Sequence, residues 1–203
     1  MKTIGILGST RRGGNTEILL GMALEEAQEI GASTSKITLR DKVIAPCDGC
    51  MRCAQTGECI IQDDMQEIYK EIREADGIIW ASPVYHWSMS GPTKIALDRT
   101  YALNFPKLQQ AGKIGGLILV ATSRGCVSAA NPFNMYFIYN HMFSAEFAWG
   151  FAREKGEIKK DTFAINMVKT MVRQMEALYR ANLKYPEGFD VPLQRLVREK
   201  YGV

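Results

Sequence analysis

Five short β-prone runs alternate with stretches of helical spacing, and this alternation constrains the chain more than any other feature. The runs are Thr3–Gly8, Ser33–Leu39, Gly77–Ala81, Ile114–Ala121 and a shorter one near 147–151. Several are apolar along their whole length, as expected for strands covered on both faces of a parallel sheet. After the first, Leu19, Leu20, Ala23, Ala27 and Ile30 fall on one stripe, with Asn15 or Thr16 as N-cap and Gly31 as stop. Met65, Ile68, Tyr69 and Ile72 form a second stripe behind Asp63 or Asp64. Further helices are predicted from Pro92 to about Arg99, over about 129–142, and from Asp161 through Ala164, Val168, Met171, Met175 and Leu178. The pattern predicts an α/β fold: a doubly wound, five-stranded parallel sheet with helices on both faces. Residues 1–184 form one domain in this reading, and residues 185–203 an arm without periodicity. At 203 residues the chain can bury a core without disulfide or metal staples.

In such sheets ligands sit beyond the carboxyl ends of the strands, where the chain reverses its order of winding. The loops after the first, third and fourth runs should therefore converge, and they are polar and glycine-containing. Ser9-Thr10-Arg11-Arg12-Gly13-Gly14-Asn15-Thr16 is neither a dinucleotide fingerprint nor a P-loop. Its hydroxyls, amide, guanidinium and helix-start N–H groups suit a terminal phosphate dianion, or else form only a capped turn. Ser82-Pro83-Val84-Tyr85-His86-Trp87 supplies the aromatic faces and backbone polar groups a planar heterocycle needs. Thr122-Ser123-Arg124-Gly125 lets backbone approach the other edge of such a ring. Core packing or a subunit contact accounts equally well for Trp87.

Four of the five cysteines fall within thirteen residues, as Cys47, Cys50, Cys53 and Cys59. Neighbours this close are poorly placed for disulfides, which leaves a metal or cluster site on the loop 43–62 as the leading reading. C-x2-C-x2-C-x5-C brings four thiolates onto one loop, with Asp48-Gly49 and Thr56-Gly57 as turns. Three cysteines at this spacing recur in ferredoxins, so a [4Fe–4S] cluster is expected. Zinc, which usually takes two separated knuckles, and a loop holding no metal are the alternatives. His86 and His141 are the only histidines, which excludes a histidine-rich metal site. Cys126 is expected to be a buried filler.

Gly8-Ser9-Thr10-Arg11…Asn15-Thr16, Ser82-Pro83-Val84-Tyr85 and Met89-Ser90-Gly91-Pro92-Thr93-Lys94…Asp98-Arg99 together resemble the flavodoxin-like NAD(P)H-dependent FMN reductase superfamily. With the four cysteines ahead of Asp63-Asp64-Met65, the chain is most similar to its iron–sulfur flavoprotein branch. By motif the resemblance covers residues 1–126, and beyond that only the order of elements. It implies FMN, with phosphate on Ser9, Thr10, Arg11, Asn15 and Thr16. The ring would lie between Pro83, Val84, Tyr85, His86 and Ser88 on one side and Thr122, Ser123 and Gly125 on the other. It also implies a homo-oligomer, a homodimer or homotetramer.

The function expected is electron transfer between a [4Fe–4S] cluster, fed by a donor such as ferredoxin, and FMN, then on to an acceptor. No side-chain nucleophile or general base is needed, because the cofactors carry the chemistry. The alternatives are a cluster-free NAD(P)H-dependent FMN or quinone reductase and a cofactor-binding module without turnover. A net charge of 25 − 22 = +3 is too small for a nucleic-acid footprint. No apolar run reaches membrane-span length, and strand-like sequence follows Met1-Lys2-Thr3 directly, so a cytoplasmic protein is expected. Residues 131–151 hold eight of the nineteen aromatics, divided in this reading between core and a subunit interface or flavin wall.

Overall fold

The computed structural model describes residues 1–192. Strands β1 (Lys2–Leu7), β2 (Ser33–Thr38), β3 (Gly77–Tyr85) and β5 (Ile114–Ala121) form a parallel sheet in the order β2-β1-β3-β5. The fifth position is shared by β6 (Phe143–Ser144) and β7 (Ala148–Phe151), both parallel to β5. A two-residue strand, β4 (Ser88–Met89), folds back antiparallel on the end of β3. The sheet thus has seven strands rather than five. The extra two arise because the fifth strand is broken and the third ends in a hairpin. Between the β6 and β7 pairings the edge strand advances four residues (144 to 148) while β5 advances three (115 to 118). That surplus residue is a bulge, which interrupts the ladder as bulges at sheet edges do.

Helices α1 (Asn15–Glu29) and α6 (Thr162–Arg180) cover one face of the sheet. Helices α3 (Met65–Glu74), α4 (Gly91–Arg99) and α5 (Cys126–Tyr139) cover the other. A five-residue helix, α2 (Arg52–Thr56), lies within the cysteine segment. The stripe Met65, Ile68, Tyr69, Ile72 is wholly buried, as are Ala164, Val168, Met171 and Met175 of α6. Asp161 caps α6 by accepting from Ala164 N–H at 2.9 Å. Every residue of β5 is buried. Its Gly115 and Gly116 face opposite helix layers: added Cβ atoms would meet the Phe137 ring at 2.7 Å and Met175 Sδ at 2.7 Å. Both layers therefore press on the central strand, and methyl groups there would push them away.

Several boundaries depart from the sequence reading. The N-cap of α1 is Gly14, one residue before Asn15, and no side chain caps it. Strand β3 runs four residues past Ala81, because Ser82 and Pro83 continue the ladder opposite Leu119 and Val120. Helix α5 begins at Cys126 rather than near 129, straight after Gly125.

Tyr185, at the head of the arm, stacks on Phe143 and His141 with ring centroids 5.0 and 5.1 Å apart. Asp190 accepts from Leu108 N–H at 2.6 Å through its carbonyl and pairs with Lys107 at 3.3 Å. Residues 193–203 of the arm lie outside the described residues. No helix among the described residues is long and apolar enough to cross a membrane.

Candidate functional site

The loops after β1, β3 and β5 meet at the carboxyl end of the sheet, on the side where the order switches from β1 to β3. Under the first loop lies a buried hydroxyl cluster. Ser90 Oγ donates to the Gly8 carbonyl at 2.7 Å and lies 2.8 Å from Thr93 Oγ1. Thr93 Oγ1 donates to Ser82 Oγ at 3.2 Å, and Ser82 Oγ accepts from Ser90 N–H at 3.0 Å. The cluster joins the ends of β1, β3 and α4, with Ser82, Ser90 and Thr93 all buried. Gly8 has no room for a side chain: a Cβ there would sit 1.7 Å from Thr93 Oγ1.

In the loop itself Ser9, Asn15 and Thr16 are buried, while Thr10 and Arg11 are exposed. Both ends of the Asn15 amide are engaged: Nδ2 donates to the Glu154 carbonyl at 2.8 Å and Oδ1 accepts from Gly156 N–H at 2.9 Å. Arg11 Nη1 donates to the Arg153 carbonyl at 3.3 Å. The segment after β7 is therefore clamped onto this loop, and it brings Lys155 over Gly13, where an added Cβ would lie 3.2 Å from its Nζ. Arg153 and Lys155 are the residues that sequence reasoning missed. Their position just past the fifth strand was the available signal, since that loop also opens at the carboxyl end of the sheet.

Glu17, in the first turn of α1, accepts from Gly13 N–H at 2.9 Å and from Arg40 Nη1 at 2.9 Å, and pairs with Lys36 at 3.1 Å. The Arg40 hydrogen bond, outweighing partial burial, holds its carboxyl at about pKa 2. Arg12 pairs with Asp41 at 2.7 Å, out in solvent.

The end of β3 turns through Tyr85-His86-Trp87-Ser88, with positive φ at His86 (46°) and Trp87 (61°). Two-residue hairpins favour this geometry but usually place Asn or Gly in it, so the two large rings are held against backbone preference. Tyr85 and Trp87 are both more than half exposed. Gly125, at φ 95°, lets the next loop come close: a Cβ there would be 3.1 Å from Val84 Cγ1 and 3.3 Å from Trp87 Cδ1. Val84, His86, Trp87, Thr122, Ser123 and Arg124 line a hollow of about 320 Å³. Pro83 sits on the strand behind it, and Ser88 on the return strand, opposite Tyr85. Trp87 and Gly125 also border a second hollow of about 190 Å³, with Cys126, Val127, Trp149 and Phe151.

Cys47, Cys50, Cys53 and Cys59 all line one cavity of about 350 Å³, walled by Ile60, Ile61, Tyr101 and Ala102. Burial raises the Cys53 thiol, and proximity to Cys59, Cys47 and Cys50 raises it further. Among the described residues no three His, Cys, Asp or Glu side chains are gathered closely enough to hold a single metal ion. Arg99, 2% exposed, lies at this cavity. Its two terminal nitrogens fork onto Asp63 at 2.7 and 3.1 Å. Burial opposes the guanidinium charge, and the Asp63 carboxylate more than restores it.

The sheet order and the three convergent loops define an α/β protein of flavodoxin-like architecture, with those loops gathered at the β1/β3 switch. The family model described as NADPH-dependent FMN reductase matches residues 1–154, and the chain belongs to that family, in its iron–sulfur flavoprotein branch. An iron–sulfur flavoprotein of Methanocaldococcus jannaschii is 35% identical over 185 residues, covering 86% of this chain and 95% of the relative. One from Methanosarcina thermophila is 40% identical over 124 residues, 61% of this chain and 65% of the relative. RosB, solved with bound 8-demethyl-8-formylriboflavin-5'-phosphate, is similar in fold: the TM-score is 0.79 at 15% identity, over 100% of this chain and 87% of that one. The protein is a flavin-dependent oxidoreductase.

Proposed function

We propose that the chain carries electrons between a [4Fe–4S] cluster on the cysteine loop, fed by a donor such as ferredoxin, and FMN at the β1/β3 switch, for delivery to an acceptor. The observation that carries this reading is the hollow of about 350 Å³ lined by all four cysteines. Four thiols spread around a cavity suit a polynuclear cluster better than one tetrahedral ion, whose ligands must close to about 2.3 Å from the metal.

The donor set at the phosphate loop fits FMN. Ser9, Thr10 and Thr16 offer hydroxyls, the start of α1 offers N–H groups, and Arg11 and Lys155 offer positive charge. Asn15 serves from beneath by holding the 153–157 segment in place. Pro83, Val84, Tyr85, His86 and Ser88 form one wall for the ring, and Thr122, Ser123 and Gly125 the other. Bound there, FMN would supply exchange of one or two electrons. The exposed apolar side chains of α5, Val127, Met135 and Ile138, support a homodimer or homotetramer, which light scattering would measure.

Anaerobic reconstitution tests the cluster. About four iron and four sulfide per chain are expected, together with broad absorption beneath the flavin bands, and Cys53→Ser should abolish both. Iron far below that in the parent protein overturns the reading and leaves a cluster-free NAD(P)H-dependent FMN or quinone reductase. Rapid bleaching of FMN by NADPH, indifferent to Cys→Ser changes, would then be its mark.

Arg11→Ala tests the phosphate assignment. A charge-assisted hydrogen bond contributes roughly 1.5–3 kcal/mol, so FMN should bind about 10- to 150-fold more weakly. Riboflavin, which lacks the phosphate, should bind parent and variant alike. Arg12→Ala is the control, because Arg12 is paired with Asp41 instead. Unchanged FMN affinity in Arg11→Ala would reduce the loop to an ordinary strand-to-helix turn.

A further inference from the structure

Arg99 is among the largest fully buried side chains in the protein, and its hydrogen bonds gather around the cysteine cavity. One terminal nitrogen donates to the Ala45 carbonyl and to Asp63, both at 2.7 Å. The other donates to Asp63 at 3.1 Å, to the Ile61 carbonyl at 3.4 Å and to Cys59 Sγ at 3.4 Å. The contacts therefore reach both flanks of the cysteine segment and one of its sulfurs. The Arg99 carbonyl is itself fixed, accepting from the buried Tyr69 hydroxyl at 2.8 Å. Asp63 is held as firmly, since it also accepts from Ala45 N–H at 2.9 Å and Met65 N–H at 3.0 Å. Arg99 ends α4, the helix whose first turn belongs to the hydroxyl cluster under Gly8. Nine residues at 1.5 Å each place the two ends of α4 about 13 Å apart along its axis.

A buried ion pair is costly, and side chains of similar size packed without charge often serve stability as well or better. The position of this pair against a sulfur therefore calls for a role beyond stability. We infer that Arg99, oriented by Asp63, is a positioning residue that donates a hydrogen bond to the Cys59 sulfur and sets the reduction potential of the group held by the four cysteines. The inference rests on the cluster reading above. Hydrogen bonds to ligating sulfurs and local net charge are recognised determinants of cluster potential. An N–H donor and a positive charge at the sulfur favour the more negative, reduced state, whereas a carboxylate behind them opposes it.

The two partners should consequently act with opposite sign, which packing alone would not produce. The experiment is a redox titration of the anaerobically reconstituted, FMN-loaded protein, followed through cluster absorbance, for the parent, Arg99→Gln, Arg99→Lys and Asp63→Asn. Arg99→Gln should move the potential negative and Asp63→Asn should move it positive. Arg99→Lys, which keeps the charge and loses the fork, should fall between Arg99→Gln and the parent. A parent protein that takes up no cluster overturns the cluster reading itself. A cluster present in all four proteins, with Arg99→Gln and Asp63→Asn unshifted or shifted the same way, overturns the role of Arg99 alone. Because buried-charge variants can fail to fold, the parent protein labelled with 15N-arginine supplies a second readout. Electron–nuclear spectroscopy of its reduced cluster should show coupling to a single arginine nitrogen group, and the absence of that coupling also overturns the inference.

Discussion

Gly8→Ala is expected to cost about 3 kcal/mol or more of folding stability, at the top of the range for overpacked interiors. The added methyl would lie 1.7 Å from Thr93 Oγ1, and the hydroxyl has nowhere to swing, since Ser90 and Ser82 both hold it. Relief therefore requires β1 and α4 to separate, which breaks the Ser90 bond to the Gly8 carbonyl as well. The same movement displaces the loop that begins at Ser9, so FMN affinity should fall together with stability. Urea unfolding of the single variant measures the first effect. Thr93→Ala in the Gly8→Ala background should recover only part of it, because the new Cβ still lies 3.0 Å from Thr93 Cβ. A Gly8→Ala protein as stable as the parent would show that the hydroxyl cluster is more pliant than its geometry indicates.

Glu17→Gln is expected to lose roughly 2–3 kcal/mol near neutral pH and almost nothing in strong acid. The native carboxyl titrates at about 2, against an ordinary value of 4.5. A depressed native pKa means that the unfolded chain binds the proton more readily, so this contribution is complete above pH about 5 and fades as pH falls from there toward 2. At about 1.4 kcal/mol per pKa unit the full contribution is roughly 3 kcal/mol, reduced somewhat because the side chain is 17% exposed. Parent and variant stability curves should accordingly converge on the acid side, as chemical denaturation at several pH values would show. Parallel curves across the whole range would mean that Glu17 acts through packing. Glu17 also holds Gly13 N–H, so the variant tests whether its anion keeps the loop after β1 closed over the start of α1.

Much of this architecture was legible along the chain. The apolar runs of β1 and β5, the Met65–Ile72 stripe and the start of the last helix at Asp161 are local patterns, and the structure reproduces them within a residue or two. The apolar run of the third strand ends at Ala81, yet the strand itself continues through Ser82 and Pro83, with Pro83 opposite Val120. The β1 ladder ends at Ala81, so Pro83 has a neighbour strand on one side only, and at such an edge position a missing ladder donor is tolerated. The break in the fifth strand was equally invisible, because it exists only as a register difference against β5.

The residues by themselves determined the alternation of strands and helices, the polar loops at one end of the sheet and four cysteines close enough in sequence to share one cavity. Each of these depends on spacings of a few residues, where backbone geometry translates pattern directly into structure. The tertiary structure alone decided that Asn15 clamps a segment 139 residues away, that Lys155 comes to rest over Gly13, and that Arg99 reaches Cys59 across 40 positions. Those meetings follow from sheet order and from the packing of α4 and the 153–157 segment against it. Such juxtapositions arise when distant surfaces are buried together, and they leave no periodic trace in the chain.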